Sequence, residues 1–211
     1  MNKYLETFNT WNKVAKAYQD KFMNLDIYND TYDRFLDLLP EKSPSILDVG
    51  CGPGNICKYL LSKKTSIKLK GIDVAEQMVF LAQKNNPLAD FELMDSRKLD
   101  LIKSNYDGII CGFCIPYLSQ EDLSKLIVDC KNTLHESGVL YISYIDGDYA
   151  ASDYIIGSTG SRVYFYYHNT KKLEQLLQEH SFEIKEVLHV DYKISDSAKE
   201  THTILIVKKN T

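Results

Sequence analysis

Apolar residues recur along this chain with two periods, and the changes from one period to the other mark out its elements. Trp11, Val14, Ala15, Tyr18 and Phe22 stand three or four apart, with Lys13, Lys16, Gln19 and Asp20 between them. That spacing predicts an amphipathic helix ahead of the fold proper. A second helix is expected over 28–39, with Tyr32, Phe35, Leu36 and Leu39 as its buried stripe and Pro40 as its stop. Short apolar runs then alternate with helical patterns. Strands are expected at 45–49, 67–72, 90–94, 106–113 and 139–145. Helices fall between them, one after Asn55, one over 75–84, and one that Ser119-x-x-Asp122 opens as a capping box and that carries Leu123, Leu126, Ile127, Cys130 and Leu134. Strand and helix in alternation make a mostly parallel sheet covered on both faces.

The end of the chain breaks this alternation. Positions 146–161 are polar, glycine-bearing and aperiodic, which suits a lid or substrate loop. An aromatic, strand-like stretch follows at 162–168, then a helix with Leu173, Leu176 and Leu177. Strands at 182–192 and 202–207, joined by a short polar link, predict a terminal antiparallel hairpin.

Chemistry concentrates where the first strand ends. Ser45-Ile46-Leu47-Asp48-Val49-Gly50-Cys51-Gly52-Pro53-Gly54-Asn55 runs from an apolar strand through three alternate glycines into a helix. Glycine admits positive φ and lets a ligand approach where a Cβ would block it, and the helix start leaves N–H donors facing the turn. A turn that needs glycine for its geometry alone is the alternative. About twenty residues on, Asp73 ends the second strand, where an acid accepts hydrogen bonds from both hydroxyls of a ribose; capping the helix from Ala75 is its other role. Asp95 and Ser96 follow the third strand, and Gly112 and Phe113 leave the fourth at the topological switch region where open α/β sheets bind ligands.

The segment from Leu47 to Gly54, acid-x-Gly-x-Gly-x-Gly after a buried strand, resembles the first motif of the class I S-adenosylmethionine-dependent methyltransferases. A nicotinamide site would want glycine or alanine where Asn55 stands. The likeness runs in order from about Asn12 to Lys208. It implies an α/β fold: a doubly wound, mostly parallel, seven-stranded Rossmann-like sheet with a C-terminal antiparallel hairpin. One domain over 1–211 is expected, with a helical cap at 1–40 and the core at 41–211.

The resemblance also implies S-adenosyl-L-methionine as cofactor, leaving S-adenosyl-L-homocysteine. Asp48, Gly50, Cys51, Gly52, Gly54 and Asn55 would form the turn beneath it. Asp73 would hold the ribose, Val74 and Met78 would be apolar neighbours, and Asp95 with the backbone at Ser96 would meet the adenine. Cys111, Gly112 and Phe113 would complete the wall, and Tyr18 would make a lid contact from the cap, although core packing accounts for Met78 and Tyr18 as well.

Composition narrows the partners. At 44% hydrophobic and 26% charged, the 211 residues suit a soluble globular protein, with no apolar run of membrane-spanning length and no signal core after Met1. Five cysteines, an odd number, read as reduced thiols of a cytoplasmic protein. The Cys111-x-x-Cys114 pair begins inside a buried strand and lacks a second pair, so no metal is expected. A net charge of −4 supplies no broad field for nucleic acid, which leaves a small-molecule acceptor as the expected partner.

Methyl transfer from a sulfonium is an in-line displacement of an already activated group, so alignment does most of the work. Tyr117, Tyr167 and His168 are the candidates for lining the acceptor or removing its proton; His168 also reads as a strand-end residue beside Asn169 and Thr170. A nicotinamide-dependent oxidoreductase, a non-catalytic cofactor-binding module and a methyltransferase of nucleic acid or protein are the competing readings.

Overall fold

The structure, a computed structural model, describes residues 2–157 and 160–210. Helices α1 (Lys3–Phe22) and α2 (Asn29–Asp37) precede an alternating series: β1 (Ser45–Val49), α3 (Asn55–Lys63), β2 (Lys68–Asp73), α4 (Glu76–Asn85), β3 (Asp90–Leu93) and β4 (Tyr106–Gly112). Then come α5 (Gln120–Thr133), β5 (Leu134–Ile145), the short strands β6 (Asp153–Ile156) and β7 (Arg162–Phe165), α6 (Thr170–Glu179), β8 (Phe182–Lys193) and β9 (Lys199–Lys209).

Seven strands form one sheet in the order β3-β2-β1-β4-β5-β9-β8. The first five are parallel; β9 runs antiparallel between β5 and β8. β1 lies inside the sheet between β2 and β4, and Ile46, Leu47 and Val49 are wholly buried, as a strand covered on both faces requires. Alternation then divides the core. Leu47, Ile109, Leu140, Ile142 and Leu205 face α5 and α6, while Ile46, Ile110, Tyr141, Ile204 and Ile206 face α2 and α3. The outer strand β8 starts from the buried Phe182 and then alternates exposed with half-buried residues, and its exposed Glu183 and Lys185 suit an open edge.

Three expectations change. The first helix begins at Lys3, well ahead of Trp11, because the Asn2 side chain accepts the Tyr4 N–H at 3.0 Å and caps it. Leu134, expected on a helix stripe, opens β5 opposite Tyr106, before a register irregularity between Tyr106 and Gly108. The stretch expected as one aperiodic loop contains β6, which pairs with β7 in a separate hairpin; Ser158 and Thr159 of that stretch lie outside the described residues. The hairpin forms because α1 satisfies its edge. Thr7 Oγ1 accepts the Tyr164 N–H at 3.0 Å, and Thr10 Oγ1 donates to the Arg162 carbonyl at 2.7 Å. Among the described residues no helix is long and apolar enough to cross a membrane.

Candidate active site

The β1–α3 turn uses its glycines for conformation. Gly50, Gly52 and Gly54 have φ of 74°, 53° and 79°, left-handed values that L side chains seldom adopt. The Gly50 and Cys51 N–H groups donate to the Ile72 carbonyl at 2.8 and 3.0 Å, pinning the turn to the end of β2. One step further, the Gly52 N–H donates to Asp73 Oδ2 at 2.9 Å, while the Ala75 N–H donates to Oδ1 at 2.8 Å. Burial raises Asp73 above the ordinary carboxylate range, against the N–H groups of Ala75, Gly52 and Val74, which pull it down. Each oxygen keeps a lone pair for a ligand hydroxyl.

A cleft opens over this turn. The α1 side supplies Phe8, Trp11 and Tyr18, the turn supplies Gly50 and Gly52, and the end of β2 supplies Asp73 and Val74, backed by Met78 of α4. Asp95 and Ser96 beyond β3, Gly112 and Phe113 from β4, and Tyr117 close the far side. Burial holds the Tyr18 hydroxyl at about 12, with Asp73 and Asp48 adding to the rise. The Trp11 indole N–H is buried without a hydrogen-bond partner among the described residues, although its ring packs edge-on to Tyr18 at 5.5 Å and to Tyr117 at 5.4 Å.

The same walls continue into a second chamber. Trp11, Tyr18, Gly52, Phe113 and Tyr117 border both, and Cys51 and Asn55 border the second alone. Phe113 stands between the chambers with φ of 53°, a left-handed conformation rare for a bulky residue. Its N–H donates to Ser143 Oγ at 3.0 Å, one of the contacts that hold it there. Strain of this kind, about 1–3 kcal/mol, persists where the surroundings over-determine a residue, and it clusters at functional sites.

Most residues singled out in the sequence thus meet around one space; the others lie elsewhere. Asp48 sits wholly buried behind the turn: Oδ2 accepts the Cys57 thiol at 3.1 Å, and Oδ1 has no partner among the described residues. Burial pushes its carboxyl up to about 7, the Cys57 thiol opposing and the Asp73 charge adding. Gly54 shapes the turn without lining either chamber, its place fixed by the Asn86 side chain, which donates to the Gly54 carbonyl at 3.0 Å. Cys111 is buried against Cys130 on the sheet face opposite to Gly112, so its thiol does not reach the cleft.

Asp95 borders the cleft with its carboxylate already forked onto Arg97, at 3.0 Å from Nε to Oδ1 and 2.5 Å from Nη2 to Oδ2. Burial pushes Asp95 up, but the Arg97 fork and N–H outweigh it and hold the group below its ordinary value. Arg97 itself is packed 3.9 Å from the Tyr4 ring.

Tyr167 and His168 are not on the cleft. Tyr167 packs over Gly147, and His168 Nε2 is spent on the Ile115 and Leu118 carbonyls at 3.0 and 3.1 Å. Burial lowers His168, as for an imidazole kept neutral in the core. Tyr117 alone of the three borders both chambers, and burial raises its hydroxyl. The chamber residues that sequence reasoning missed include Tyr28, Phe165, Tyr192, Glu200 and His202. Glu200 fell in the polar link expected before 202–207, whereas β9 begins at Lys199 and carries both Glu200 and His202; the approach of Tyr28 had no local signal.

The residues at the cleft fit an adenosyl group. They offer bare glycine backbone, an acceptor carboxylate at Asp73, the unpartnered Trp11 N–H and aromatic walls.

Comparison with known proteins agrees. Residues 46–138 match the model of a methyltransferase domain family. The chain is 30% identical over 139 residues to a putative methyltransferase of Invertebrate iridescent virus 6, covering 65% of this chain and 49% of that protein. It is 30% identical over 147 residues to the ribosomal protein L11 methyltransferase of Lactobacillus johnsonii, covering 68% and 38%. The chain spans about half the length, or less, of these curated relatives. Among solved structures, magnesium protoporphyrin IX methyltransferase of Synechocystis, with bound S-adenosylmethionine, superposes with a TM-score of 0.74 at 15% identity over 100% of this chain and 98% of that one. A didemethyltoxoflavin N1-methyltransferase of Burkholderia thailandensis gives 0.71 at 16%, over 99% and 88%. The family model thus marks a methyltransferase domain within the chain, and the fold is the one that these solved methyltransferase structures share. Residues 46–138 carry the matched domain.

Proposed function

We propose that this protein transfers a methyl group from S-adenosylmethionine to a small-molecule acceptor. The observation that carries the reading is the 2.9 Å bond from Gly52 N–H to Asp73 at the floor of a cleft that continues into a second, aromatic chamber. One compartment suits an adenosyl group, and its neighbour suits the molecule to be methylated.

The cofactor, when bound, supplies a sulfonium methyl already activated for displacement. The chain's residues do the rest. Asp73 accepts the ribose hydroxyls in charge-assisted bonds, and the left-handed glycines keep the backbone low beneath the ligand. Val74 and Met78 provide apolar contact, and Asp95 and Ser96 border the space left for the base. Trp11 and Tyr18 of α1 exclude water from the reacting centre. Alignment of this kind contributes about 7–11 kcal/mol to such a displacement.

A small acceptor is favoured by the enclosure of the second chamber between α1, the sheet edge and Phe165 of the β6–β7 hairpin. The net charge of −4 provides no field for a polyanion. Known relatives named for a ribosomal protein and for a tRNA act on other acceptors, so the chamber and not the family carries this part. We read residues 1–211 as one domain whose first 40 residues cap the core. The buried free cysteines fit a cytoplasmic setting.

Calorimetric titration with S-adenosylmethionine and S-adenosylhomocysteine tests the reading. Saturable binding of both is expected; folded protein that binds neither contradicts it.

A further inference from the structure

Three residues of the second chamber form a hydrogen-bonded chain that methyl-donor binding does not require. Tyr28, which precedes α2, places its hydroxyl 2.6 Å from His202 Nδ1, and His202 Nε2 lies 3.0 Å from Glu200 Oε2. A carboxylate only accepts, so Nε2 carries the hydrogen. Nδ1 is then the acceptor and the Tyr28 hydroxyl the donor, which leaves the phenol oxygen with lone pairs for a further donor. Glu200 and His202, two apart on β9, share a face of the sheet.

The imidazole is clamped. The Tyr192 ring stacks on it at 5.3 Å and 13°, the Tyr28 ring lies at 6.0 Å and 7°, and Phe113 meets it edge-on at 4.8 Å. Phe113 is the strained residue that separates the two chambers. Lys21 of α1 reaches over the Tyr192 ring at 5.6 Å and borders the same space. The titratable groups around His202 are therefore Tyr28, Tyr192 and Glu200, with Lys21 beyond Tyr192.

A histidine satisfied for packing alone needs partners only within the core. Here Tyr28, His202 and Glu200 all border an open chamber, and donors and acceptors run in one direction from a phenol in its wall to a partly exposed carboxylate. Burial raises the Tyr28 hydroxyl, so it keeps its hydrogen at rest. The walls are aromatic as well: Phe22, Tyr32, Phe113, Phe165 and Tyr192. Flat faces of this kind bind a flat ligand through offset or edge contacts.

Resting on the methyltransferase reading above, we propose that the Tyr28–His202–Glu200 chain takes the proton from the acceptor as it is methylated, and that the acceptor is a planar aromatic or heteroaromatic molecule bearing an acidic O–H or N–H. In the step, a lone pair of the acceptor heteroatom forms the bond to the methyl carbon while the carbon–sulfur bond breaks. The electron pair stays on sulfur, which becomes a neutral thioether. The acceptor proton passes to Tyr28 Oη as Tyr28 gives its own hydrogen to His202 Nδ1. The imidazolium then stands against Glu200 and releases its proton to water after the product leaves. Tyr28 is the catalytic residue; His202 and Glu200 are positioning residues that act through it.

The test uses the full chain saturated with S-adenosylhomocysteine and 7-hydroxycoumarin as probe, whose phenol and phenolate forms differ in excitation. Wild-type protein is expected to bind the probe and to raise its phenolate fraction at pH 6. Tyr28→Phe and His202→Gln are expected to bind it with similar affinity and to lose that rise. With S-adenosylmethionine, methylation of the probe should fall about 100-fold in both, in kcat more than KM, and His202→Gln should flatten the rising limb of the pH profile. Unchanged S-adenosylhomocysteine affinity in the variants shows that they are folded. The proposal is overturned if wild-type protein binds S-adenosylhomocysteine but not the probe, if the variants keep the phenolate signal and the rate, or if ethanolamine or RNA is methylated in its place. Failure to bind S-adenosylhomocysteine at all would instead remove the methyltransferase reading beneath it.

Discussion

Gly52, just beyond β1, and Asp73, the last residue of the neighbouring parallel strand β2, are joined by a 2.9 Å hydrogen bond from the backbone N–H of one to the carboxylate of the other. The bond fixes the acid over the turn that it would serve with a ligand, so ligand affinity inherits the acid's titration. Burial raises Asp73 above the ordinary aspartate value of 3.8, the N–H groups of Ala75, Gly52 and Val74 opposing. The ionised form is the one that accepts a diol. Cofactor affinity is therefore expected to weaken as pH falls through a value above 3.8, and to be flat above it. Calorimetry across mildly acid pH measures this; affinity unchanged down to pH 4 would contradict it.

Asp48 makes a prediction about stability. Its folded value of about 7 exceeds 3.8 because burial penalises the charge. Between those values the folded state holds a proton that the unfolded chain has lost, so stability declines as pH rises across the window, by on the order of 4 kcal/mol in all. Asp48→Asn removes the charge and nearly keeps the shape. Thermal melts should show the variant gaining on wild type at pH 8 and gaining much less at pH 5.

Two glycines with similar backbone angles separate strain from crowding. Gly54 has φ of 79°, and a Cβ there would come 2.4 Å from Asn86 Nδ2; Gly160 has φ of 75° with nothing within 4 Å. Gly160→Ala is expected to cost about 1–2 kcal/mol, the left-handed penalty. Gly54→Ala should cost distinctly more in denaturant unfolding, because Asn86 must also give up its bond to the Gly54 carbonyl.

The central strands and the glycine turn were legible in the sequence because burial on both faces leaves near-continuous apolar runs, and because a left-handed turn demands glycine. The acids at strand ends followed from the same geometry. Cys111 was misplaced for want of a face: adjacent residues in a strand point to opposite sides, and Gly112 rather than Cys111 lies at the cleft. The β6–β7 hairpin was missed because its edge is satisfied by Thr7 and Thr10, far away in sequence. The same limit hid the Tyr28–His202 contact, which only the packing of α2 beside the antiparallel β9 creates. His168 had the residue type of a base, but its ring nitrogen is bound to two carbonyls.

The most direct measurement is calorimetric titration of S-adenosylhomocysteine into wild type and Asp73→Ala. The account predicts saturable binding to wild type and an affinity lower by roughly 10- to 100-fold in the variant, the worth of charge-assisted hydrogen bonds of about 1.5–3 kcal/mol, with the variant still folded. Equal affinity in the two proteins, or no binding to folded wild type, would contradict it.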